Sequence, residues 1–207
     1  MAGRFTGFPR EAIDFFKSLE AHNNREWFQA HKDVYERACK EPMKSLMAEL
    51  DGRLGPSKIS RINRDTRFSS DRSPYKTYIS AGVGRYYISL SKGGLYVGTG
   101  VYKPDSPTLE RIRSAIDDDA SGRKLHFIVA SLRRKGYQVD THERVASAPR
   151  GYSADHPRIE LLRMKDMFAG KALPPGAQLT SRKALGQITG VMSDIEPFKN
   201  WLQRHVG

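Results

Sequence analysis

KTYISAGVGRYYISLSKGGLYVGTGVY, Lys76–Tyr102, is the stretch on which the fold class turns. It is rich in Tyr, Val, Ile and Thr, side chains that suit a pleated, half-buried surface. Three strands are read in it: Lys76 to Arg85, Tyr86 to Ser91 and Leu95 to Tyr102. Lys92-Gly93-Gly94 separates the last two and reads as a hairpin turn, because both glycines accept positive φ. Gly82, Gly84, Gly98 and Gly100 recur at spacing two. A strand face bared in this way lets another backbone or a ligand come close. The expectation is an antiparallel sheet with one closely covered face.

Upstream the period changes to that of helices. Ile13, Phe15, Phe16 and Leu19 recur at helical spacing over Pro9 to Ala21. Asn23 is read as the cap of a second helix, with Glu26 in capping-box position. Pro42 is read in the first turn of a third helix, whose apolar stripe is Met43, Leu46, Met47 and Leu50. Downstream, Ser106 and Ser121 are read as caps of two further helices. Tyr137 to Asp140 and Met167 to Leu173 read as strands, and Thr180 to Met192 and Asp194 to Val206 as two closing helices. Helices come first, then strands, then mixed elements, an order that argues for α+β rather than a parallel βαβ sheet. The chain is therefore read as one α+β domain over 1–207, an antiparallel β-sheet packed with several α-helices. Its parts are an N-terminal helical block over 8–54, a sheet-forming middle over 58–103 and a mixed helix and strand part over 105–207.

Composition limits the classes available. The 207 residues are 38% hydrophobic and 28% charged, enough to bury a core. No run approaches the ~18–20 apolar residues of a membrane span, so no membrane partner is expected. The N-terminal MAGRFTGFPREAIDFF is broken by charges and Pro9 and does not read as a signal peptide. The single cysteine, Cys39, cannot form an internal disulfide, which fits a cytoplasmic setting. It reads as a small buried hydrophobe rather than a nucleophile.

Net charge is +12. Residues 51–104 hold 10 basic and 3 acidic residues, over half of that excess. Such a field favours anionic partners. It centres on RINRDTRFSSDRSPYKTY, Arg61–Tyr78, where Arg61, Arg64, Arg67, Arg72 and Lys76 stand against Asp65 and Asp71. Three readings are open. The cations converge on a phosphate- or carboxylate-bearing small molecule, with Asp65 orienting them and Tyr75 walling the pocket. Alternatively, the basic residues and nearby tyrosines contact nucleic acid; strand propensity and core packing explain those tyrosines better, so this reading is not favoured. Or the segment is an internal ion-pair lattice of a structural or partner-binding protein. The first reading is preferred.

The pattern Arg61-x-x-Arg64-Asp65-x-Arg67-Phe68, followed by Asp71-Arg72 and Tyr75, resembles the signature of a bacterial family of uncharacterised proteins catalogued as domain of unknown function 2461. In that family's pattern a Lys commonly stands where Arg72 stands here. Phe8-Pro9, Phe15-Phe16, Leu19 and Asn23-Asn24-x-x-Trp27-Phe28 look like its N-terminal block. Gly151-Tyr152, Asp155-His156-Pro157 and Glu160-Leu161-Leu162 look like a later one. The resemblance implies an α+β fold and no established activity.

Other chemistry is sparse. The weak catalytic candidates are Asp65 and His156, for acid–base or phosphoryl chemistry beside cations. The six histidines show no metal-binding spacing, so neither a metal nor a cofactor is expected. Asp117-Asp118-Asp119 reads as a solvated loop closing a helix. No phosphate loop, dinucleotide fingerprint or nucleophile elbow occurs.

Overall fold

The computed structural model describes residues 3–67 and 71–206. The chain divides into two compact units: Met1–Val97 with Ala172–Gly190, and Gly98–Lys171 with Val191–Gly207. An antiparallel six-stranded sheet has the order β1-β2-β3-β4-β6-β5. Its strands are β1 (Ser57–Ile59), β2 (Tyr78–Val83), β3 (Tyr86–Ser91), β4 (Gly94–Val101), β5 (Gln138–Asp140) and β6 (Met167–Leu173).

In the first unit, β2 and β3 pair from Tyr78↔Ser91 to Val83↔Tyr86, so the stretch Lys76–Tyr102 folds back on itself as its turn chemistry requires. Gly94 holds φ +99°, and a Cβ there would overlap the Leu173 carbonyl oxygen. Only glycine serves that turn. The expected glycine-bared face is only partly of that kind. A Cβ on Gly100, in the second unit, would collide with the Met167 carbonyl, whereas one on Gly82 would meet nothing closer than 3.8 Å.

Helix α1 (Arg10–Ala21) packs on β3 and buries Ala12, Phe15, Phe16 and Leu19. After α2 (Arg25–Ala30), the chain winds continuously from Lys32 to Leu54. That run comprises α3 (Lys32–Val34), a π-helical stretch Tyr35–Lys40 and α4 (Glu41–Leu54). The sequence predicts a break before Pro42. The helix passes through it because Pro42 follows directly on the wider π winding, where an i→i−4 bond from its nitrogen is not needed. Met43, Leu46, Met47 and Leu50 are buried, and α4 lies against β1 and β2. Each such side chain contributes about 1.5–3 kcal/mol. Cys39, on the π stretch, is fully buried, and burial pushes its thiol pKa far up, so it is a packed hydrophobe.

In the second unit, α5 (Ser106–Asp117) and α6 (Asp119–Arg134) pack together, with α7 (Ile159–Leu162) against α5 and β5 against α6. The caps are one residue or more away from those expected. Asp105, not Ser106, caps α5 by accepting from Thr108 N–H at 2.9 Å. Asp118, not Ser121, caps α6 by accepting from Ser121 N–H at 2.7 Å. A carboxylate is the stronger acceptor facing the positive end of a helix.

The two closing helices are one, α8 (Lys183–Val206), with Pro197 inside it. Asp194, the expected start of the last helix, lies inside α8 and accepts from Tyr137 Oη and Lys135 Nζ, each at 2.6 Å. Among the described residues, no helix is long and apolar enough to cross a membrane.

Candidate functional site: an arginine-lined cleft

The basic segment is a loop closed at its base. Asn63 and Tyr75 form an antiparallel bridge. Backbone bonds from Arg64 N–H to the Pro74 carbonyl and from Lys76 N–H to the Ile62 carbonyl, both 2.9 Å, flank it. Tyr75 is the anchor. Its ring is 5% exposed and stacks on Phe28, with centroids 4.0 Å apart and planes at 19°. Phe28 belongs to a cluster with Phe15 and Tyr35, so the loop base is tied to α1, α2 and the π stretch.

Asn23 completes the anchor. Its Nδ2 donates to the Tyr75 carbonyl at 2.9 Å, and its Oδ1 accepts from Tyr75 N–H at 3.1 Å. Asn24 takes over the capping role expected of Asn23, accepting from Trp27 N–H at 2.9 Å. With the cap filled, Asn23 is free to serve Tyr75.

Above this base lies a cleft of about 340 Å³, lined by Arg25, Asn63, Arg64, Thr66, Arg72 and Tyr75 together with Pro74. The expected ligand contacts divide into two groups. Arg64, Arg72 and Tyr75 are brought together in the cleft. Arg61, Arg67 and Lys76 are not in its lining. Arg67 turns back on Asp65, with its Nε and Nη2 at 3.0 and 2.7 Å from the carboxylate, and its own N–H bonds the same group. Lys76 Nζ donates to the Arg61 carbonyl at 3.0 Å. Phe68, Ser69 and Ser70 lie outside the described residues.

The acids are placed as locally as the cations. Asp71 pairs with Arg64 through Nη1 and also accepts from Ser73 N–H at 2.9 Å. Arg72 donates to the Thr66 carbonyl at 3.1 Å. The hydrogen bonds from Arg67 hold the Asp65 carboxyl down to about 2, so it is ionised and fully engaged at neutral pH. Among the described residues, neither Arg25 nor Arg72 makes an ion pair; the cleft therefore presents positive charge in excess of its carboxylates.

Arg25 was not foreseen. It opens α2 within residues 1–50, whose net charge is zero, and no local pattern links it to the basic loop. The docking of Asn23 and Phe28 on Tyr75 brings it to the loop.

His156, the other catalytic candidate, lies in the second unit. Its Nδ1 accepts from Arg158 N–H at 3.0 Å, its Nε2 is 3.2 Å from Asp117 Oδ1, and the side chain is 14% exposed. Both ring nitrogens are occupied in holding the turn before α7. Arg158 itself is buried and donates to the Ile116 and Asp117 carbonyls at 2.6 and 2.8 Å, satisfying the end of α5 where the three aspartates stand.

No curated protein and no solved structure matches the chain. A family model described as "Conserved hypothetical protein (DUF2461)" matches residues 11–201, nearly the whole length, and the chain belongs to that family.

Proposed function

We propose that the cleft at the base of the Arg64–Pro74 loop binds a small anionic molecule bearing a phosphate or carboxylate group. The observation that carries this reading is the lining: Arg25, Arg64 and Arg72 surround one cleft, and among the described residues the carboxylate paired with any of them is Asp71, on Arg64. A guanidinium offers a planar fork of donors matched to the paired oxygens of such groups. The volume, about 340 Å³, falls at the small end of ligand sites, which run from about 300 to 1,000 Å³. Asn63 and Thr66 add neutral polar groups, and Tyr75 closes the floor. The one buried cysteine accords with a cytoplasmic setting for this binding.

Calorimetric titration of the full chain with inorganic pyrophosphate and with citrate tests it. Saturable binding at one site is expected, weakened at least about tenfold by Arg25→Gln or Arg72→Gln, a loss of about 1.4 kcal/mol. Those variants should melt at or above the wild-type temperature, since they relieve like-charge repulsion. Flat titrations, or variants that bind normally, overturn the proposal. DNA binding that falls steeply with salt and ignores Arg25→Gln would point to nucleic acid instead.

A second reading, the internal ion-pair lattice, draws support from the Arg64–Asp71 and Arg67–Asp65 pairs. Under it, Arg25→Gln and Arg72→Gln lower the melting temperature and no anion binds.

A further inference from the structure

The second unit holds a separate cleft of about 780 Å³, whose lining includes Glu110, Arg111, Asp118, Ser121, Arg204 and His205. Ser121 Oγ lies 3.0 Å from His205 Nε2 and 3.0 Å from Trp201 Nε1. An indole N–H only donates, so Ser121 Oγ accepts from Trp201. Ser121 keeps its own hydroxyl proton to donate, and in the tautomer that carries hydrogen on Nδ1 the His205 ring accepts it at Nε2. Burial, with Arg204 alongside, lowers the His205 pKa from 6.5, which keeps the ring a neutral acceptor at pH 7. The Asp118 charge acts in the opposite sense and favours the imidazolium once a proton arrives. Asp118 also fixes the Ser121 backbone through the N–H bond that caps α6. The first-turn amides of α6, which lack intrahelical acceptors, sit at the same end.

We propose that this cleft hydrolyses small carboxylic esters, with Ser121 as nucleophile and His205 as general base. A hydroxyl hydrogen-bonded to a neutral imidazole at the edge of an open cleft is the arrangement that nucleophilic acyl transfer needs. Ser121 Oγ bonds to the ester carbonyl carbon as its proton passes to His205 Nε2, and the carbonyl π pair moves to oxygen. Collapse breaks the bond to the leaving alkoxide, which takes the proton from His205 and departs as alcohol. Water then attacks the acyl-serine and gives its proton to His205. The acid leaves, and Ser121 regains the proton. The sum is ester plus water to acid plus alcohol. Asp118 and Trp201 are positioning residues, the first by charge and backbone contact, the second by orienting the Ser121 hydroxyl. The site shares no residue with the arginine cleft and stands independently of it.

The test treats the full chain with a fluorophosphonate probe and with p-nitrophenyl acetate. A single label on Ser121, located by peptide mass spectrometry, is expected. Ester hydrolysis should fall about 10²–10⁴-fold in Ser121→Ala and His205→Gln. The wild-type rate should decline only as pH drops below 6.5, the ordinary histidine value, because Arg204 and burial outweigh Asp118 at His205; Glu110 and Arg111 line the same cleft and share its field. Since Ser121 is also a partner of Trp201, melting is recorded for each variant, and the wild-type label needs no variant at all. Absence of label on Ser121, or variants that melt lower while wild-type hydrolysis never exceeds theirs, overturns the proposal and leaves the Trp201–Ser121–His205 chain as a packing contact.

Discussion

Asn23 and Tyr75 exchange two hydrogen bonds, the side-chain amide of one answering the backbone N–H and carbonyl of the other at 3.1 and 2.9 Å. The amide acts as one more strand residue beside a bridge position. It couples the α1–α2 junction to the basic loop. Replacing Asn23 by Leu removes both partners from half-buried backbone groups and should cost about 1–3 kcal/mol. Asn23→Asp keeps the acceptor but sets a charged oxygen against the Tyr75 carbonyl, and should cost at least as much. Urea unfolding measures both; a loss below ~0.5 kcal/mol for Leu would show that solvent replaces the pair.

Gly122 and the α8 glycines should respond oppositely to alanine. A Cβ on Gly122 would overlap the Ile116 carbonyl oxygen and come within 2.5 Å of Arg158 Nε. Gly122→Ala should therefore destabilise by ~3 kcal/mol or more, since backbone and a buried guanidinium both have to move. Gly186 and Gly190 lie exposed in α8, with nothing within 4 Å of an added Cβ. Alanine at each should stabilise by about 0.5–1 kcal/mol through helix propensity. Thermal melts of the three variants give the comparison.

Arg158 is 6% exposed and spends its donors on the end of α5. Arg158→Leu should cost about 1–3 kcal/mol for each carbonyl left without a donor. Arg158→Lys keeps the charge but lacks the fork, and should recover only part of the loss. The readout is chemical denaturation, and a Lys variant equal to wild type would show that charge alone suffices.

Asp166, 4% exposed, is a pH-dependent clasp. Burial by itself would raise its pKa. Bonds from the Thr141 hydroxyl at 2.7 Å, the His142 N–H at 2.8 Å and His142 Nδ1 at 2.9 Å outweigh it and hold the carboxyl below 3.8. Above 3.8 the carboxyl is ionised in folded and unfolded chains, and its contribution is complete. As pH falls below 3.8 the unfolded chain takes up the proton first, so the contribution shrinks and is gone below the folded pKa. Asp166→Asn should be less stable than wild type by about 1–3 kcal/mol at neutral pH. That gap should narrow in acid. A gap independent of pH would assign the effect to shape rather than charge.

Much of the architecture was legible from local pattern. The alternation and turn glycines of Lys76–Tyr102 specify β2, β3 and β4, because pleat and positive φ are properties of short stretches. The stripe Met43, Leu46, Met47, Leu50 specifies the buried face of α4 for the same reason. Boundaries were less legible. Asn23 and Asn24 are neighbours with equal capping ability, and the choice between them depends on what else each can reach. Pro42 and Asp194 both read as helix boundaries, yet the π winding carries the chain past one and Tyr137 with Lys135 claims the other.

The sequence by itself determined that this protein is α+β, that its excess charge centres on Arg61–Lys76, and that Asp65 and Asp71 are the acids at hand there. All three follow from composition and from contacts a few residues long. Which cations face a common cleft was decided only by the tertiary structure. Asp65 and Asp71 take Arg67 and Arg64, two and seven residues away within the same loop. Arg25 joins Arg64 and Arg72 only once Asn23 and Phe28 have docked on Tyr75. Ser121 and His205 likewise meet only when α8 returns Trp201 to the start of α6. Long-range pairing of this kind is selected by packing and by unsatisfied polar groups seeking partners, and it leaves no periodic trace in the sequence.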